Sequence, residues 1–234
     1  MINVNGLLCH IDQLRLLLLD LNLDVLTINE TKLSLSIPSE LVRINGYFFE
    51  RLDRSNRGGG VAMYIRDSIN YKVRNDLVPD QLEMIAVEIS KSKAKPFIIS
   101  TFYRPPSAAI ELLDFFEIFL QKVDSEDKES ILVGDINCNL ATGCETSLSR
   151  HIQFLYDTYQ YSQLINDFTR VTPKSSSIID HLITNQPNKI CYSGVLPISI
   201  SDHYMIYGIR KFSSTKGEPR YIENRSFKNY ISDS

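Results

Sequence analysis

Two short segments carry the side chains best suited to chemistry. Gly134-Asp135-Ile136-Asn137 closes one apolar run, and Ser201-Asp202-His203 opens another. Together they supply two carboxylates, an amide and an imidazole. Mg²⁺ takes one or two carboxylates and fills its remaining positions with water and phosphate oxygens. Histidine titrates near neutrality unperturbed, and as imidazolium it stabilises charge building on a phosphoryl group. Asp135 and Asn137 lie two apart and share a face in extended backbone, where Asp135 can activate a water and Asn137 can hold it. Cleavage of a phosphodiester is the chemistry this set suits. Each segment also has a plainer reading, because Gly, Asp and Asn form turns and most Asp-His pairs do nothing.

Other groups extend the set. Glu30 ends the apolar run from Val25 to Ile28, and strand carboxyl ends are usual sites of function in α/β sheets. A lone strand-end Glu is otherwise just solvated. Asp180, within Ile179-Asp180-His181, is a carboxylate partner for a charged His203. Tyr103 and Arg104 put a phenol and a guanidinium at another strand end. Both suit a phosphate, although a strand-end Tyr also packs.

The elements that must position these groups follow from hydrophobic periodicity. Leu7, Ile11, Leu14, Leu18 and Leu21 recur at helical spacing, which predicts an amphipathic helix. Residues 24–30 read as a buried strand. Residues 47–103 are strand-dense, with Arg57-Gly58-Gly59-Gly60 as a turn before Val61 to Ile65. Leu82 to Ile89 and Phe97 to Tyr103 are further strands. Leu112, Phe116, Phe119 and Val123 mark a second helix, and Ile152, Leu155, Tyr156 and Tyr159 a third. Ile131 to Asp135, Ile178 to Ile183 and Tyr204 to Ile209 complete the strands. Helices separating runs of strands, with acids at strand ends, predict a layered α/β domain. Its expected extent is residues 1–211, with 212–234 a linker-like tail.

Composition narrows the classes. A chain of 234 residues that is 43% hydrophobic and 23% charged can fill one sizeable core. A net charge of −3 excludes a basic nucleic-acid coat protein, while local arginines can still meet phosphates. Arg51, Arg54 and Arg57 are the candidates for backbone contact, with a solvated charged face as the alternative. Cys138 and Cys144 are spaced too widely for an ordinary zinc pair, so buried or idle thiols are the simpler reading. The run Leu16 to Leu19 is too short to span a bilayer, and no basic region precedes it. A monomeric intracellular protein, nuclear or cytoplasmic, is expected.

The motifs also occur in a familiar order. Asn3-Val4-Asn5-Gly6, Thr27-Ile28-Asn29-Glu30-Thr31, Tyr103-Arg104-Pro105, Gly134-Asp135-Ile136-Asn137, Ile179-Asp180-His181 and Ser201-Asp202-His203 resemble the exonuclease–endonuclease–phosphatase superfamily. Within it, Arg57-Gly58-Gly59-Gly60-Val61-Ala62, Thr169-Arg170-Val171-Thr172 and Ser175 to Asp180 are similar to the apurinic-type endonuclease domain of LINE-like (non-LTR) retrotransposons. The resemblance implies a four-layer α/β/β/α sandwich of the DNase I type. It implies Mg²⁺, with Mn²⁺ able to substitute, held by Glu30 with Asn3 and Asp202 close by. Asp135 would activate water with help from Asn137, Tyr103 and His203 would contact the scissile phosphate, and Asp180 would orient His203. Asn5, Arg104, Thr172 and Ser201 would be substrate contacts.

The expected activity is Mg²⁺-dependent nicking of one DNA strand, leaving 3′-hydroxyl and 5′-phosphate ends. A reverse transcriptase domain would be the partner in the parent element. Asn5 stands where cellular apurinic endonucleases carry an Asp, and Tyr103 where pancreatic-type deoxyribonucleases use a second histidine. The late motif, Ile178-Ile179-Asp180-His181, departs from the signature of inositol polyphosphate phosphatases. The alternatives are an RNA nuclease or phosphatase of the superfamily, or an idle relic that binds without cutting. The first strand is short and Asn3 sits near the chain end, where fraying would loosen it. The chain also reads as a fragment, or as an isolated endonuclease descended from a larger protein.

Overall fold

The structure is a computed structural model that describes residues 1–55, 58–91 and 94–211. Arg57 and the linker-like tail therefore lie outside the described residues. In chain order the elements are β1 (Ile2–Asn3), α1 (Leu7–Leu21), β2 (Val25–Asn29), β3 (Tyr47–Leu52), β4 (Val61–Arg66), β5 (Asn70–Val73), β6 (Glu83–Ser90) and β7 (Phe97–Tyr103). There follow α2 (Leu112–Asp124), β8 (Glu129–Asp135), α3 (Ser147–Thr158), β9 (Ser162–Gln163), β10 (Arg170–Thr172), β11 (Ser175–Ser177), β12 (Asp180–Thr184), β13 (Ile190–Leu196) and β14 (Met205–Arg210).

The apolar stripe read from the sequence is the buried face of α1, through Leu7, Ile11, Leu14 and Leu18. The helix ends at Asn22, whose left-handed backbone breaks it. It connects the parallel strands β1 and β2, as a parallel pair requires. The first sheet has the order β1-β2-β4-β3, and the second β5-β6-β7-β8-β12-β9. The Met1 amino group donates to Ile206 O at 2.7 Å, and Ile206 N donates to Met1 O at 2.9 Å. These bonds set β14 beside β1, so the β13–β14 ribbon continues the first sheet.

Alternation along each strand divides the core into layers. Leu26, Ile28, Ala62 and Tyr64 face α1. Val61, Met63 and Ile65 meet Ile85, Val87 and Tyr103 between the sheets. Ala86, Ile98, Phe102 and Leu132 meet α2 and α3 on the far side, through residues such as Phe116, Phe119, Ile152 and Leu155. The result is the four-layer α/β/β/α sandwich that the family resemblance implies.

Gly134 shows how tightly β7 and β8 approach. A Cβ there would fall 1.9 Å from the Phe102 carbonyl oxygen, so only glycine fits.

Three expectations are corrected. Asn3 is not frayed: it is 1% exposed, and Met1 before it is buried against β14. The strand read over Ile178 to Ile183 starts at Asp180, because Ile178 N bonds the Asn139 side chain instead of a neighbouring strand. β13 was not read as a strand at all; its Ser193 and Gly194 blur the alternation. No helix among the described residues is long and apolar enough to cross a membrane.

Candidate active site

The strand ends bring the acids to one edge of the sandwich. Asp135 closes β8 and Asp180 opens β12, and the antiparallel register sets them directly opposite each other. Glu30 follows β2 in the facing sheet. Asn29, just before it, is fully buried; its Oδ1 accepts the Asp135 N–H at 2.8 Å, and its Nδ2 donates to Thr101 Oγ1 at 3.3 Å. This amide ties the two sheets together directly behind the acids.

The local backbone is unusual. Asn5, Glu30, Lys32 and Asn137 all adopt positive φ, at 50°, 52°, 51° and 49°. Such residues cost of order 1–3 kcal/mol each and persist only where their surroundings hold them. Here Thr31 N donates to Gly60 O at 3.1 Å and Lys32 N to Gly59 O at 3.0 Å. On the other flank Gly6 N donates to Glu30 O at 2.9 Å. Gly60 must be glycine, since its φ is +84° and a Cβ would lie 2.5 Å from Thr31 Oγ1.

Asn3 Nδ2 donates to Glu30 Oε1 at 3.1 Å and to Asp135 Oδ2 at 2.8 Å. Tyr103 OH donates to the same Glu30 oxygen at 3.1 Å. Burial, reinforced by the Glu30 charge, holds the Tyr103 phenol far above its ordinary range, so it stays a donor at neutral pH. His203 Nδ1 meets Asp180 Oδ2 at 2.9 Å, and its Nε2 lies 3.9 Å from Asp135 Oδ2. Burial opposes charge on the His203 ring, but the Asp180 bond and the surrounding acids outweigh it and raise its pKa. Burial, with Asp180 opposite, pushes the Asp135 carboxyl up to about 7.

Asn137 follows in an Asx turn, with its N–H on Asp135 Oδ1 at 3.1 Å and its Nδ2 on Arg104 O at 2.9 Å. Ser201 Oγ donates to Asn3 O at 2.6 Å and accepts His203 N–H at 3.1 Å. It thus stitches the histidine turn to β1. Asn5 N donates to Asn3 Oδ1 at 3.1 Å, and its side chain takes the Lys32 ammonium. Asp202 sits at the rim, bound by Arg170 Nε at 2.7 Å. Burial works against its charge, but Arg170 overrides this and holds its carboxyl below the usual range.

Two predicted contacts lie elsewhere. Arg104 is 3% exposed and donates to the Pro105 and Ala108 carbonyls, so it braces a loop and does not face the site. Side chains alternate along a strand, so Tyr103 facing the acids sends Arg104 to the other side. Thr172 lies on the exposed β10–β11 hairpin and bonds Ser175. Of the backbone-contact candidates, Arg51 is occupied by Asp53, Ile37 O and Ser34 O, and Arg54 by Glu83.

Reasoning from sequence assigned no role to Asn29, Thr169 or Arg170. A buried amide in the apolar strand β2 is the available signal for Asn29. Thr169 Oγ1 accepts the N–H groups of Ile179 and Asp180 at 3.2 and 3.1 Å, fixing the start of β12.

The donor set fits a hard cation at Glu30. One Glu30 oxygen accepts from Tyr103 and Asn3, while Oε2 has, among the described residues, the Lys32 ammonium at 3.9 Å. Asn3 faces both carboxylates with its NH₂ and would have to turn to offer oxygen. Asp135, Asp180 and His203 also bring potential ligand atoms within 4.8 Å of one another. That trio is a poorer fit for Mg²⁺, which favours oxygen, because His203 Nδ1 is already committed to Asp180.

The chain belongs to the Endonuclease/Exonuclease/phosphatase family, which it matches over residues 2–203. Its fold is similar to that of the endonuclease domain of TRAS1, a telomere-specific non-LTR retrotransposon. That pair shares 15% identity and a TM-score of 0.70 over 91% of this chain and 97% of the other. A 3′ phosphatase from Neisseria bound to a product DNA hairpin gives 18% identity and 0.69, over 90% of this chain and 97% of that one. An AP endonuclease from Archaeoglobus fulgidus gives 14% identity and 0.69, over the same shares of 90% and 97%. No curated protein matches the chain by sequence.

Proposed function

We propose that the protein is an endonuclease that hydrolyses DNA phosphodiesters with Mg²⁺ or Mn²⁺, nicking one strand to leave 3′-hydroxyl and 5′-phosphate ends. The observation carrying this reading is the convergence of Glu30, Asp135, Tyr103 and the Asp180–His203 pair at one edge of the sandwich. The motifs shared with LINE-like elements, and the fold shared with a retrotransposon endonuclease, support descent from a non-LTR retrotransposon.

Asp135 takes a proton from the attacking water, a task for a carboxylate poised near neutral pH. Its own position is set by Asn3, by Asn29 and by the Asn137 turn. His203, kept charged by Asp180, stabilises the negative charge gathering on the phosphoryl oxygens. The phenol of Tyr103 donates its one hydrogen to Glu30 and so orients that carboxylate; a donation to the phosphate would have to replace this bond. The P–O3′ bond breaks as the water oxygen bonds phosphorus, and the 3′ oxygen leaves with the electron pair and acquires a proton from solvent. A cation bound at Glu30 would neutralise phosphate and leaving-group charge. Asp202, ionised by Arg170, would hold waters of that cation and is unsuited to donating a proton.

The test is incubation with supercoiled plasmid and Mg²⁺, with and without EDTA, beside Asp135→Ala and His203→Ala. Nicked circles that require metal and both side chains support the reading. Metal-dependent release of phosphate from mononucleotides or inositol phosphates, without nicking, would replace it with a phosphatase. A folded protein inactive on every substrate would be a binding relic.

A further inference from the structure

Arg170 takes no part in the chemistry above, yet its placement is specific. An isolated antiparallel bridge pairs it with His203. Val171 N donates to Asp202 O at 3.2 Å and Tyr204 N to Thr169 O at 2.7 Å, so the backbone on both sides of this bridge is locked. Alternation then separates two neighbours. Thr169 is fully buried and holds the backbone of Asp180, while Arg170 points outward with its side chain 44% exposed. Arg170 spends one donor, Nε, on Asp202. Its two terminal nitrogens have no partner among the described residues, and a guanidinium carries five donors in a planar fork that matches phosphate.

We propose that Arg170 binds a backbone phosphate of the DNA next to the scissile one, using its two terminal nitrogens while Nε keeps hold of Asp202. The inference rests on the phosphodiester reading above and adds a substrate contact to it. The Asp202 bond holds the guanidinium on the residue next to His203 before substrate arrives, which lowers the side-chain entropy to be lost on binding. Arg170 thereby replaces the buried Arg104 as the arginine of the site.

The test is DNA binding by the full chain carrying Asp135→Asn to silence cutting. Fluorescence anisotropy with a duplex oligonucleotide is recorded across a monovalent-salt titration in EDTA, where Asp202 has no cation to hold and its substitution reads only on the Arg170 pair. Each phosphate neutralised contributes about 0.9 to the slope of log Kd against log salt. Adding Arg170→Gln should lower that slope by about 0.9, and Arg170→Lys should restore most of it. Asp202→Asn breaks the same ion pair but leaves the guanidinium free, so its slope should not fall. Equal slopes for Arg170→Gln and the parent would overturn the proposal, as would Arg170→Gln and Asp202→Asn falling together. A parent that binds DNA with no salt dependence would instead bring down the phosphodiester reading, and this contact with it.

Discussion

The side-chain oxygen of Asn29 accepts the backbone N–H of Asp135 at 2.8 Å, joining the last residue of β2 to the last residue of β8 across the facing sheets. Glu30 is the next residue along the chain. One buried amide therefore ties the sheet that leads into Glu30 to the sheet that ends in Asp135.

Asn29→Leu keeps the approximate size but strands the Asp135 N–H and the Thr101 hydroxyl in a dry interface. An unsatisfied buried polar group costs about 1–3 kcal/mol. Urea denaturation should show a loss in that range. Nicking should fall further than stability explains, by roughly 10²-fold, as for a misplacement near 1 Å. Wild-type nicking by a destabilised but folded Asn29→Leu would show that this bond does not position the site.

Activity should follow a bell against pH. Asp135 must be ionised to act as base and its carboxyl is raised to about 7, so the rate climbs as pH rises toward and through 7. His203 must be protonated, and its pKa is raised above 6.5, so the decline begins above that value. Bound Mg²⁺ favours the ionised carboxylate, so saturating metal should move the rising limb to lower pH. The profile of kcat/KM between pH 5 and 9 at several metal concentrations checks this; a rising limb that stays in place as metal is raised would mean that Asp135 is not the base.

His181 gives a separate acid-side signature. It is fully buried, with Nδ1 against Tyr156 OH and Nε2 against Cys138 O, both at 2.9 Å. Burial lowers its pKa from 6.5 to about 4. The unfolded chain therefore binds the proton more readily, and stability is complete above 6.5 and lost as pH falls from 6.5 toward 4. The loss is on the order of 3 kcal/mol. The denaturation midpoint of the native chain should therefore gain on that of His181→Gln as pH rises from 4 to 6.5; a difference between the two that stays constant across the window would show that His181 does not titrate in this way.

Gly134→Ala should abolish folding. The added Cβ meets a backbone oxygen at 1.9 Å, inside a strand pair that cannot separate without disrupting the second sheet. Soluble yield and circular dichroism test it, and a folded, active Gly134→Ala would contradict the close approach of β7 and β8.

Much of the site was legible because it sits where local patterns end. The four-step recurrence of Leu7, Ile11, Leu14 and Leu18 defines α1 from residues within a few positions of one another. Glu30 and Asp135 stand out as acids terminating apolar runs, and Asp180 with His203 as complementary charges. The structure places all four at one edge. Arg104 was misread for a reason also local: adjacent strand residues face opposite ways, and the sequence does not say which face holds the site.

The sequence alone determined the main helices and strands, because burial of an apolar face imposes a period that the order of residues records. By contrast β13, with Ser193 and Gly194 blurring its alternation, is defined by its pairing with β14. Only the tertiary structure decided which ends converge, since that depends on register and sheet packing between residues a hundred or more positions apart. Asn29 and Asp135, Asn3 and Asp135, and Ser201 and Asn3 are such pairs. A hydrogen bond between distant residues leaves no periodic trace, so Asn29 and Arg170 acquire their roles only when the sheets close.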